Sequence, residues 1–105
     1  LPKNLQYSGL AVFFDKDPTM ITNVKIGETG SDYAIITWKT NHYATSKVNY
    51  GFNTSYGQGV YSTERVKEHR MVLENLEQGR TYYFEVMSQN KNYAYDAYHT
   101  FETTE

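Results

Sequence analysis

The sequence predicts an all-β domain, a seven-stranded two-sheet sandwich, on three observations. Short runs that alternate large apolar with polar residues recur along the chain, separated by clusters of glycine, asparagine, aspartate and serine. Apart from Thr63–Leu73, no window places apolar residues at helical spacing. Tyrosine, which favours strands, occurs 11 times in 105 residues.

Each strand has its own reason. Ile21–Ile26, ITNVKI, is rich in β-branched residues. In Tyr33–Thr40, YAIITWKT, the period of two puts Ala34, Ile36 and Trp38 on one face and Thr37 and Lys39 on the other, so Trp38 should lie at the centre of the core. Ile35 is then apolar on the outer face. Lys47–Tyr50 turns Val48 and Tyr50 inward, and Val60–Ser62 is a short companion. Thr63–Leu73 mixes a helix-like charge pattern with a strand ending, and Val66–Leu73 is expected as strand with Met71 and Leu73 inward. In Thr81–Ser88, Tyr82, Phe84 and Val86 point in while Tyr83, Glu85 and Met87 point out. Tyr98–Thr103 closes the set. Turns are expected at Gly27–Asp32, Asn41–Ser46, Gly51–Gly59, Glu74–Arg80 and Gln89–Asp96.

The LEQGRTYY stretch asks for more than a strand. Leu76 is placed to plug one end of the sandwich, Gly79 to permit a tight turn, and Tyr82 to fold back and hydrogen-bond an upstream backbone group. The expected core is therefore Trp38, Tyr50, Leu73, Leu76, Tyr82, Phe84 and Val86.

Composition narrows the function. With 10 Lys+Arg against 12 Asp+Glu, scattered along the chain, no basic footprint for nucleic acid or an anionic membrane is present. No apolar run approaches a membrane span, so direct insertion is not expected. The absence of cysteine removes disulfides, thiol nucleophiles and thiolate metal sites. His42, His69 and His99 stand at no zinc-type spacing, and no HExxH, phosphate loop or GxSxG turn occurs. Asp15–Asp17, DKD, lacks the further ligands of a calcium loop. His69 is expected as a structural strand residue and His99 at the border of the core or a sheet face. Neither cofactor nor metal is expected, and no catalytic residue is assigned.

From ITNVKI through ITWKTN, SKVNYG and EHRMVLENLEQGRTYYFEV to TFETT, residues 21–104 resemble a fibronectin type III domain, an immunoglobulin-like sandwich. Trp38 corresponds to that family's core tryptophan, and Leu76, Gly79 and Tyr82 to its corner motif; Gln78 departs from the frequent proline. WKTN, SKVNYG and the following YG are similar to repeats of bacterial cell-surface proteins and to the amino-terminal sandwich of purple acid phosphatases. The resemblance implies a non-catalytic spacer or interaction module, monomeric in isolation, in a larger extracellular or cell-surface protein. Its partners would be neighbouring domains of the same polypeptide, with a protein or glycan ligand as the alternative. A further alternative is an accessory domain of a phosphatase or glycoside hydrolase.

Residues 1–19 fall outside the sandwich at 20–105. They read as an extension or linker, and GLAVFF is apolar enough to pack on the sandwich, over Ile35. Binding, where it occurs, is expected at one pole, where NHYATS and QNKNYAYDAY emerge together. Tyr43, Tyr93 and Tyr95 would form an aromatic patch flanked by His42 and Asn92, suited to stack on sugar rings or anchor a protein. Alternatively these tyrosines pack on one another and stiffen the loop.

Overall fold

The computed structural model describes residues 17–105. They form five strands: β1 (Ile21–Thr29), β2 (Ala34–Gly51), β3 (Gln58–Leu73), β4 (Thr81–Gln89) and β5 (Tyr93–Glu102). All pairings are antiparallel, in the order β1-β2-β4-β5 with β3 also on β2. The GLAVFF segment and its expected packing on Ile35 lie outside the described residues.

The count is five where seven were expected, because β2 and β3 each carry two of the expected runs. Asn41–Ser46, expected as a turn, continues β2 as strand. The register gives the reason. Ala34–Lys39 pairs with Leu73–Glu68, while Ser46–Tyr50 pairs with Ser62–Gln58, and the register slips on both sides of Ala44. Such irregularities bend a ribbon while leaving it paired. β2 and β3 are thus one long hairpin folded double.

Two layers result. β1, the first half of β2 and the second half of β3 make one. The first half of β3, the second half of β2, β4 and β5 make the other. The inward parity is as expected: Ala34, Ile36, Trp38, Val48, Tyr50, Leu73, Phe84 and Val86 are buried between the layers. Each large apolar side chain so buried contributes about 1.5–3 kcal/mol. Trp38 ties the layers together, its Nε1–H donating to Ser88 Oγ at 2.9 Å.

At the pole where β3 crosses to β4, Leu76 is buried and its N–H donates to Asp32 O at 2.9 Å. Gly79 has φ +62°, the left-handed conformation that glycine adopts without strain. Tyr82 Oη accepts the Glu77 N–H at 2.7 Å, closing the expected tyrosine corner. β5 begins at Tyr93, five residues before the expected Tyr98, so the β4–β5 turn shrinks to residues 90–92 and Tyr93 and Tyr95 become strand residues.

Candidate functional site

Strand periodicity that buries one face of the four-stranded layer must present the other face to solvent. On that outer face the register sets Tyr61, Lys47, Met87 and Tyr95 side by side across β3, β2, β4 and β5. Tyr93, opposite Gln89, lies two residues away along β5. These side chains, with Thr45 and Asn49, line an open groove of about 790 Å³. Tyr61, Tyr93 and Tyr95 stand 63%, 59% and 66% exposed. In the next row Asn49 Nδ2 donates to Glu85 Oε2 at 2.8 Å. Opposite Glu85, Ala97 and Tyr98 occupy the place of one residue, a bulge in which Tyr98 takes φ +68° and is 80% exposed. A bulky residue in that conformation is strained by roughly 1–2 kcal/mol.

The five residues expected to bind separate into three groups. Tyr93 and Tyr95 share the groove. Tyr43, 62% exposed, does not line it; its ring lies under Lys67, with Nζ 5.0 Å from the centroid. His42 and Asn92 hold the incoming chain: Asn92 Oδ1 accepts the Thr19 N–H at 3.2 Å, and His42 Nε2 lies 2.9 Å from Asp17 O. Asn41 completes this clamp, accepting the Met20 N–H through Oδ1 at 2.8 Å and donating through Nδ2 to Pro18 O at 3.0 Å. Sequence reasoning missed Tyr61, Lys47 and Met87 as neighbours of Tyr95. Outward parity was visible for Met87, but which strand lies beside which was not.

Beneath the clamp the fold-over of β2 and β3 is pinned by His69. Its ring is 2% exposed and stacks on Trp38, centroids 4.9 Å apart and nearly parallel. Thr40 Oγ1 spends its hydrogen on His42 O at 2.7 Å and so accepts from His69 Nε2–H at 2.8 Å. Nδ1 is then the acceptor for Ser46 Oγ–H at 2.6 Å. Burial drives the imidazole pKa down from 6.5 to about 4. His69 is therefore a neutral structural residue, as the sequence suggested. His99 stacks on Phe84 at the sheet face, its Nε2 3.1 Å from Asp96 Oδ1. Among the described residues no group of three or more His, Cys, Asp or Glu is placed to hold a metal ion.

No family model and no curated protein matches the sequence. Solved structures do match. A computationally redesigned β-sandwich protein aligns with a TM-score of 0.63 at 20% identity, over 82% of this chain and 95% of its own. The FN1–FN3 domains of chicken CNTN1 align at 0.65 and 17% identity, over 82% of this chain and 32% of that one. The sensor domain of the anti-sigma factor RsgI4 of Pseudobacteroides cellulosolvens aligns at 0.55 and 14% identity, over 86% of this chain and 98% of its own. The chain thus has a fibronectin type III-like sandwich fold, as its tryptophan and tyrosine-corner motifs imply.

Proposed function

We propose that this chain is a non-catalytic module of a larger extracellular or cell-surface protein, which spaces and orients the segments joined to it. The observation that carries this reading is the way both ends of the sandwich are fastened. At one pole Asn41, His42 and Asn92 grip the backbone of residues 17–20. At the other, Gly79 N–H donates to Thr104 O and Thr104 N–H to Gly30 O, each at 3.0 Å, while Thr103 Oγ1 accepts the Arg80 N–H at 2.9 Å. Chain fastened at opposite poles of a rigid body transmits force and direction instead of swivelling. The similar CNTN1 structure carries three such domains in series, which supports a spacer role. Motifs similar to bacterial cell-surface repeats support the extracellular setting.

Hydrogen exchange tests the fastening. The Thr19 and Met20 amides should exchange at least about tenfold slower than free peptide, and Asn41→Ala with Asn92→Ala should abolish that protection. In the parent polypeptide, small-angle scattering should report a broader spread of interdomain distances for the double variant. Unprotected amides, or scattering that the substitutions leave unchanged, would contradict the spacer reading.

A further inference from the structure

We propose that the outer face of the four-stranded layer binds a neutral polysaccharide laid across the strands. This inference does not rest on the spacer reading, since a spacer needs no ligand on that face. The feature to explain is the placement of the tyrosines. Tyr50 and Tyr82 are core residues, but Tyr61, Tyr93 and Tyr95 are held 59–66% exposed on one face. A phenol ring is stiff and amphipathic, so presenting it to solvent loses little side-chain entropy when a ligand stacks on it.

Spacing sets the length of the ligand. Tyr61 and Tyr95 are separated by three strand-to-strand steps, about 14 Å, and Tyr93 lies about 7 Å along β5 from Tyr95. Rings so placed suit a chain of sugar units longer than any one pyranose, with the C–H-rich faces of separate units on separate tyrosines.

Charge sets its class. Among the described residues Lys47 is the one cation lining the groove, and the Glu85 carboxylate beyond it already receives the Asn49 amide. The other polar lining groups, including Thr45, Asn49 and Gln89, are uncharged donors and acceptors. An anionic polymer would call for a cluster of cations, and a basic one for a cluster of carboxylates. Amides and hydroxyls between exposed rings instead match a ligand that alternates C–H faces with neutral hydroxyls. A protein partner would be expected to seat its anchors in closed, desolvated pockets, and this groove is open.

Affinity electrophoresis of the full 105-residue chain provides the test, in gels containing xyloglucan, mixed-linkage β-glucan or galactomannan, with polygalacturonate as the anionic control. Retardation is expected in at least one neutral gel. Tyr61→Ala and Tyr95→Ala should each weaken it about three- to tenfold, while Tyr43→Ala, off the groove, should leave it unchanged. Melting temperatures measured in parallel should stay within about 2 °C of the parent, so that lost binding is not lost folding. No retardation in any neutral gel, retardation by polygalacturonate alone, or binding that Tyr61→Ala and Tyr95→Ala leave intact would overturn the proposal. A protein ligand would then be the better occupant of this face.

Discussion

The two poles of the sandwich solve one problem, carrying the chain from one layer to the other, by opposite means. At the His69 pole β2 and β3 stay paired as they fold over, and a buried imidazole bridges Thr40 to Ser46 where the ladder is irregular. At the Tyr82 pole the chain leaves the sheet altogether between β3 and β4. There a tyrosine hydroxyl caps a loop amide, and Leu76 fills the end of the core. A crossing made by strand needs polar groups that complete a ladder; a crossing made by loop needs a plug and a cap. The first device can titrate within the range where proteins are handled, so the two poles should fail under different conditions.

The largest effect should come from Trp38→Ala, which removes the ring that His69 stacks on and leaves Ser88 without its cross-layer donor. A loss of about 3–5 kcal/mol is expected from the burial and cavity terms, read as a shift in the urea midpoint. As the chain's single tryptophan, 1% exposed, Trp38 should also emit at a blue-shifted maximum in the folded state. An unshifted maximum would put the folded-over hairpin itself in question.

Next comes acid sensitivity at the same pole. With His69 held at about 4 when folded and near 6.5 when unfolded, both states are neutral above pH 6.5, and the full stability is present there. Between pH 6.5 and 4 the unfolded chain takes up a proton that the folded one refuses. Stability therefore falls with pH, by about 3 kcal/mol from this group once pH 4 is reached, and this contribution levels off below that. Urea midpoints at pH 7 and pH 4.5 measure it. His69→Gln should be less stable at pH 7 but lose less on acidification than the parent. Equal pH slopes for parent and variant would remove the imidazole from the account, because His42 and His99 are common to both chains.

The sequence disclosed these poles unequally, for a physical reason. The Tyr82 corner was legible because its parts are local: Leu76, Gly79 and Tyr82 fall within seven residues, each suited to its task. Inward parity from Ala34 to Trp38 and from Tyr82 to Val86 was legible for the same reason, since a period of two needs no knowledge of partners. The fold-over was not. Asn41–Ser46 has turn-forming chemistry, and the residues it pairs with, Val66 and Ser62 on β3, are distant in sequence. The groove was half legible: Tyr93 and Tyr95 were noted, but Tyr61 sits in a three-residue run whose neighbours are set by cross-strand register. Tyr43 was grouped with them because the expected turn put both loops at one pole, whereas β2 carries it beneath Lys67.

The smallest effect belongs to the loop pole, and it sharpens the contrast most. Tyr82→Phe keeps the ring, which stacks on Phe101 at 5.4 Å and tilts against Phe52 at 4.9 Å, and deletes only the acceptor of the Glu77 N–H. Glu77 is exposed, so water can take over that amide, and the expected cost is about 0.5–1.5 kcal/mol by urea denaturation. Because the two poles share no partner, Tyr82→Phe combined with His69→Gln should equal the sum of the single effects within about 0.5 kcal/mol. A Tyr82→Phe variant of parental stability would make the hydroxyl incidental to the corner. Strong coupling in the double variant would show that the poles are not separate devices but two ends of one cooperative unit running through Trp38, Val48 and Tyr50.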